Sequence, residues 1–277
     1  MLALLKRSLR RFLHSRAALA LPVTFLILFV STLSIISFTY AFSVERVNSQ
    51  GQTLKVSTAK QNMLSLDDAV LSTVGQPGSS STFDLTDSGG QTSIQPTSNV
   101  LTVSINSSEV QETIFDSAIG KVVYDLPYSR SSQIGCYLKG DSRTIANQSG
   151  ASTSQISIES GVEHPEIQLR YRPSVTYAAA GLENGKTVNN IRVYIVNLNS
   201  SDPMALFGDL PLQISCIETQ LTSSNYEVSS ASGDLTVTSV LDGASGSVSV
   251  PITSTLEGAV IHLETVISNV SIQRWIR

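Results

Sequence analysis

His164 stands in the run VEHPEI, where an imidazole flanked by Glu163 and Glu166 has the make-up of a metal-ligand set or an acid–base pair. After Gly161 the same residues read equally well as a polar turn leading into the strand EIQLRY. His262 alternates with Ile261 and Leu263 and so belongs on the opposite face of a strand from them. Asp84 and Asp87 in DLTDSGG offer calcium-type oxygens, yet lack the spaced ligand run of an EF-hand and fit a turn. Asp67 and Asp68 are adjacent, cannot face each other across a scissile bond, and read as the solvated edge of a helix. Nothing resembles a GxSxG elbow, HExxH, CxxC, a Walker A loop or GxGxxG; the Gly/Ser runs at 75–81 and 242–247 lack the lysine, the strand-to-helix context or both. Two cysteines and three histidines (His14, His164, His262) match no structural zinc spacing. These residues argue against an enzyme, and no cofactor or metal is expected.

The element that positions everything else is the first. From Ala17 to Phe42 the chain carries 26 residues without a charge, enough to cross a bilayer as a helix. Lys6, Arg7, Arg10, Arg11 and Arg16 precede it and the first acidic residue is Glu45, a bias that puts the N-terminus in the cytoplasm and the remainder outside. An ordinary secretory signal has an apolar core of roughly 7–15 residues, shorter than this run, although Thr39-Tyr40-Ala41 loosely fits its cleavage pattern. Val56, Ala59, Met63, Leu66, Val70 and Val74 then recur at three- and four-residue steps, the stripe of an amphipathic helix that Gly75 and Pro77 terminate. Gly51 and the polar segment 48–52 are the expected place for a break or bend.

Past Gly75 the period becomes two. Short β-branched runs at 82–85, 100–105, 121–126, 155–158, 166–171, 190–198, 211–217, 235–240, 247–252 and 260–266, parted by Gly, Ser, Asn, Asp or Pro, predict an all-β antiparallel sandwich over 76–277. A short helix is expected over 109–118, and an exposed inserted loop over 129–154. The alternation VIHLETVISNVSIQRWI carries the last strand into the sheet, with Trp275 as a core or edge plug. The organisation expected is thus a basic leader (1–17), a transmembrane helix (18–42), a helical stem (43–75) and a β ectodomain.

Of 18 basic residues five lie in the leader, leaving 13 against 22 acidic ones outside, a net charge of −9 that repels phosphate and excludes nucleic acid as a natural partner. Cys136 and Cys216 both fall on the oxidising side, where they would form a disulfide worth about 4 kcal/mol by loop entropy, or remain two buried thiols in their apolar strand contexts. Four N-x-S/T sequons, at Asn106, Asn147, Asn199 and Asn269, also lie beyond the apolar run, as a glycosylated surface requires.

The leader resembles that of archaeal type IV pilin-like proteins, which carry a class III signal processed before the apolar segment. Arg16-Ala17-Ala18-Leu19 is similar to the basic, small, apolar pattern of that site, and Leu21-Pro22-Val23 to the Ser-Pro-Val that follows it. The likeness continues through AKQNMLSLDDAVLSTVGQPGSS at 59–80 into YRPSVTYAAAG and NNIRVYIVNLNSS. It implies cleavage between Ala17 and Ala18 by a prepilin-type peptidase, retention in the membrane, and contact with other pilin-like subunits through the apolar helix. Ala17 stands where Gly is usual, and Pro22 where many pilins have the docking Glu, which points to a minor pilin, a pseudopilin-like component or a simple cell-surface protein. Ser31, Thr32, Ser34 and Ser37 would allow neighbouring helices to approach closely. The alternative is a tethered β-sandwich binding module, or adhesin, that takes a glycan, a surface-layer protein or a solute through loops such as 129–154. A surface hydrolase is disfavoured by the missing motifs.

Overall fold

Fifty-eight consecutive residues, Arg16–Thr73, form one helix, α1, in a computed structural model that describes residues 16–127, 134–147, 153–162, 164–229 and 233–275, with side-chain surroundings from Pro22 onward. The break expected near Gly51 does not occur, and the helix is continuous through residues 48–52. One interior glycine costs only about 1 kcal/mol relative to alanine, too little to interrupt good helix formers on both sides. The chain divides into two units, between Gln52 and Thr53.

In the first unit the helix is long and apolar enough to cross a membrane. Phe25, Leu26, Ile27, Phe29, Ile35 and Phe38 are all more than half exposed. Four hydroxyls on this stretch are turned onto the helix: Ser31, Thr32, Ser34 and Thr39 each donate to the carbonyl four residues back, at 2.7–2.8 Å. A hydroxyl closed on its own backbone presents no unpaired donor to an apolar medium.

In the second unit α1 behaves oppositely. Val56, Ala59, Met63, Leu66 and Val70 are at most 4% exposed and Val74 is half-buried against the same core, so the stripe read from the sequence is the packed one. The helix ends where Gly75 takes a positive φ of 76°, open to glycine without a Cβ penalty. Fourteen strands follow among the described residues: β1 Ser80–Leu85, β2 Gln91–Asn106, β3 Gln111–Asp125, β4 Cys136–Lys139, β5 Ala146–Asn147, β6 Ser154–Ser160, β7 Pro165–Tyr171, β8 Ser174–Glu183, β9 Lys186–Asn197, β10 Met204–Phe207, β11 Leu210–Val228, β12 Leu235–Leu241, β13 Ala244–Val250 and β14 Ala259–Arg274. One sheet runs β1-β11-β14-β9-β8-β5; the other runs β13-β12-β2-β3-β7-β6-β4, with β10 beside β2. The first sheet is mixed rather than wholly antiparallel, because β9 pairs with β14 and β5 with β8 in parallel, whereas the described pairs of the second sheet are all antiparallel.

The longest strands, β2, β3, β9, β11 and β14, each contribute to two cores. The helix stripe, Val122 and Tyr124 of β3, Leu169 and Tyr171 of β7, Val196, Leu212, Val270 and Ile272 make the first core. Ile119, Val103, Ile191, Val193, Val237, Ile261 and Leu263 make the second, to which the helix contributes nothing. Along β14 the residues change from odd (259, 261, 263) to even (270, 272), and β9 and β3 change parity likewise. Successive side chains point to opposite faces, so each of these strands buries one face at one end and the other face at the other end. At the crossover the sheets nearly touch: a Cβ on Gly120 would lie 2.8 Å from the carbonyl oxygen of Leu198.

Three expectations are corrected here. Residues 111–118 are strand, not helix. Ile114 is skipped in the pairing, Thr113 facing Ser104 and Phe115 facing Val103, which breaks the period-two pattern that would have marked a strand. The described part of the segment 129–154 is not a free loop, since β4 and β5 lie in it and Ile145 and Ala146 are buried. It is held by Arg172, itself 1% exposed, whose guanidinium bonds Asp141 Oδ1 at 2.5 Å and the Arg143 carbonyl at 2.7 Å. The expected disulfide is absent, both cysteines being free. Cys136 pairs with Ile158 in one sheet, while Cys216 is buried in the other with its sulfur 3.6 Å from Thr219 Oγ1.

Asp67 overturns the solvated-edge reading. Its carboxylate is fully buried, 2.6 Å from the Lys139 ammonium and 2.9 Å from the Tyr171 hydroxyl, while Asp68 alone is exposed. Burial, and then the Asp67 charge, push the Tyr171 phenol well above its ordinary 10.0. Burial works to lower the Lys139 pKa, but the bonds to Asp67 and Asp68 outweigh it and raise that value above 10.5. Folding therefore keeps both protons: stability is intact below pH 10.0, where the unfolded tyrosine begins to ionise, and declines as the pH rises above it. Urea unfolding across pH 8–11 should show that decline, and Tyr171→Phe should flatten its slope by about 1.4 kcal/mol per pH unit, one proton's worth. An unchanged slope in the variant would assign the alkaline loss elsewhere.

Candidate functional site

The first sheet carries a polar groove of about 380 Å³ on the face opposite the second core, lined among others by Thr176, Asn190, Arg192, Ser223, His262 and Glu264. Pairing register assembles it. β11 sets Ser223 against Glu264, β14 and β9 set Glu264 against Arg192, and β9 and β8 set Arg192 against Thr176, one row across four strands. The next row is Asn225, His262, Asn190 and Ala178. The polar groove residues of β9 and β14, Asn190, Arg192, His262 and Glu264, are even-numbered, because the odd positions Ile191, Val193, Ile261 and Leu263 bury their side chains in the core.

Charge in the groove is internally balanced. Arg192 Nε donates to Glu264 Oε2 at 2.6 Å, a second guanidinium nitrogen reaches the same oxygen, and Nη1 donates to Tyr194 Oη at 3.3 Å. Bonds first to Tyr194 and then to Glu264 hold the guanidinium pKa above its already high value. His262 Nε2 is buried without a hydrogen bond, 3.8 Å from Glu183 Oε2. Ser223, His262 and Glu264 share the groove, but no hydrogen bond joins Ser223 to His262, and Glu264 is engaged by Arg192 rather than by the imidazole. A nucleophile relay needs both of those bonds. The arrangement suits binding of a neutral, hydroxyl-rich ligand: fixed amide, hydroxyl and guanidinium groups without net charge.

The residues singled out from the sequence are scattered. Arg16, Ala17 and Ala18 begin α1, and their side chains lie outside the described surroundings. Glu163 falls outside the described residues, and His164 lies in the turn entering β7, where its charge bears on Asp125. Asp125 is nonetheless pushed up, by burial first and by Glu166 second. Among the described residues no three His, Cys, Asp or Glu side chains gather as a metal-ion cluster. Asp87 is spent on the turn, capping the Gly89 amide at 2.7 Å, while Asp209 accepts the Asp87 amide at 2.7 Å. Asn106 and Asn199 are exposed sequons; Asn147 and Asn269 are half-buried, Asn269 between strands on both sides. Trp275 sits at a second cavity of about 490 Å³ with Asp84, Thr86, Asp209 and Pro211, its amide donating to the Pro211 carbonyl at 2.8 Å. Of the groove residues only His262 was singled out from sequence; the others share no local motif and meet only through strand register. No family model, curated protein or solved structure matches this chain.

Proposed function

We propose that this chain is a membrane-anchored structural protein of the cell exterior, a pilin-like subunit of the minor-pilin or pseudopilin kind, without a catalytic role. Residues 18–42 cross the bilayer from a cytoplasmic N-terminus, and the glycosylated β unit stands outside. The observation that supports this reading is the dual character of α1. Its first part is bare and apolar, with the hydroxyls of Ser31, Thr32, Ser34 and Thr39 closed on the backbone, whereas Val56 to Val70 form the spine of a β unit. A simple anchor needs only the first property; a subunit that transmits the position of its helix to its head needs both.

Sequencing the N-terminus of protein recovered from membranes tests the proposal. A prepilin-type peptidase leaves Ala18 first, which is the expected result. Protein still beginning within Met1 to Arg16 removes the pilin reading, and a start at Phe42 indicates ordinary secretion instead.

The groove favours a second reading, a tethered binding module for a neutral glycan. Glycan-array binding by the full chain, lost in Arg192→Ala and kept in Asp68→Ala, would support it. Equal signals from both variants would remove it.

A further inference from the structure

We propose that a second copy of this chain pairs edge to edge with β13, continuing the second sheet across a two-fold axis. An open strand edge presents a row of unpaired amides and carbonyls, and proteins blunt such edges with charge, proline, bulges or brevity. Every other described edge longer than four residues has such a device. β1 carries Asp84, and β8 has a register shift between Ala179 and Leu182. The part of β3 beyond β7 carries Glu112 and Asp116. The part of β11 beyond β1 carries Glu218 and Glu227, and its Tyr226 hydroxyl is bonded to Glu112 of the facing sheet. β4 is short and adds Lys139 and a register shift.

β13 has none of these. Its seven residues, ASGSVSV, are uncharged, lack proline, and pair with β12 without a shift from Ala244 to Val250. The strand ends the sheet order, so no further strand pairs with its outer edge among the described residues. It is held straight by a two-residue turn with Asp242 and Gly243 at φ 50° and 81°, the geometry that keeps a hairpin's twist, and Asp242 is tied to Val100 by both its amide and its carboxylate.

The strand's own pattern selects the register. Ser245, Ser247 and Ser249 face out and Gly246, Val248 and Val250 face in. Antiparallel pairing centred on Ser247 aligns all seven residues, sets serine against serine on the outside, and keeps Val248 and Val250 on the core side in both copies. Any odd displacement turns one copy's valines outward. No like charges meet, since the nearest carboxylate, Asp234, is bonded to Ser249 and would lie beside Ser245 of the second copy.

Cysteine cross-linking of the full chain in liposomes tests both the contact and its register. Directly opposed residues in an antiparallel pair have Cα atoms about 4.5–5.5 Å apart, within disulfide reach. Ser247→Cys should therefore link to itself on mild oxidation well above the wild-type blank, which retains Cys136 and Cys216. Ser245→Cys alone should not, but should link when mixed with Ser249→Cys. Ser247→Lys and Ser247→Asp should each abolish energy transfer between labelled copies, and an equal mixture of the two should restore it. Since Ser245, Ser247 and Ser249 are all exposed, these variants should keep the fold. Linking by Ser247→Cys no stronger than by Ser245→Cys, or energy transfer undiminished in Ser247→Lys, overturns the proposal.

Discussion

Replacing Asp67 by alanine should lower the unfolding free energy of the Thr53–Arg277 unit by about 3–5 kcal/mol, the usual cost of removing one partner from a buried ion pair. The carboxylate is fully buried on the helix, and its two partners come from β4 and β7, 72 and 104 residues later. Its loss leaves the wholly buried Tyr171 hydroxyl without an acceptor, while Lys139 keeps only Asp68, at 3.1 Å and 74% exposed. Asp67→Asn retains an oxygen for Tyr171 and should cost less, about 1–3 kcal/mol, the scale of one compromised buried hydrogen bond. Asp68→Ala should stay within about 0.5 kcal/mol, as exposed ion pairs usually do. Urea unfolding of the full chain in mild detergent, followed by near-ultraviolet circular dichroism, measures all three. Equal losses at Asp67 and Asp68 would show that the network does not bind helix to sheet.

Asp67 also marks where sequence ceases to be informative. A helical period is local, so Val56, Ala59, Met63, Leu66 and Val70 announce a buried stripe within fifteen residues of chain, and these five are buried. An aspartate beside that stripe looks solvated until Lys139 and Tyr171 are brought to it, and nothing within one turn of helix indicates either. Strands follow the same rule. β12 alternates cleanly and is readable, but β8 contains YAAAG, small residues on both faces, and gave no periodic signal. The groove is the extreme case. Its residues come from four strands, two of them parallel neighbours, and only register aligns Ser223, Glu264, Arg192 and Thr176. The cysteines failed for a related reason: apolar strand context was visible around each, but not that the strands belong to different sheets.

Leu66→Ala should cost about 2–5 kcal/mol, the range for emptying a packed leucine site. It should also separate the two cores. Leu66 lies in the core that contains Ile158, Leu169 and Val270, whereas the core around Val237, Ile191 and Ile261 receives no helix residue. Hydrogen exchange in the variant should therefore accelerate first in β6 and β7, with β12 and β13 retaining more of their protection, if the cores open as partly independent units. Val237→Ala should reverse the order, with a smaller total effect because less side chain is removed. The long strands set the limit on this independence. β9 and β14 run through both cores, and at their crossing Gly120 leaves no space against Leu198, so disorder in one core must pass along shared backbone to reach the other. Uniform acceleration across all strands in both variants would mean that this coupling exceeds the stability of either core, making helix, first core and second core one cooperative body. In that event a displacement of α1 would be felt as far as the hairpin of β12 and β13.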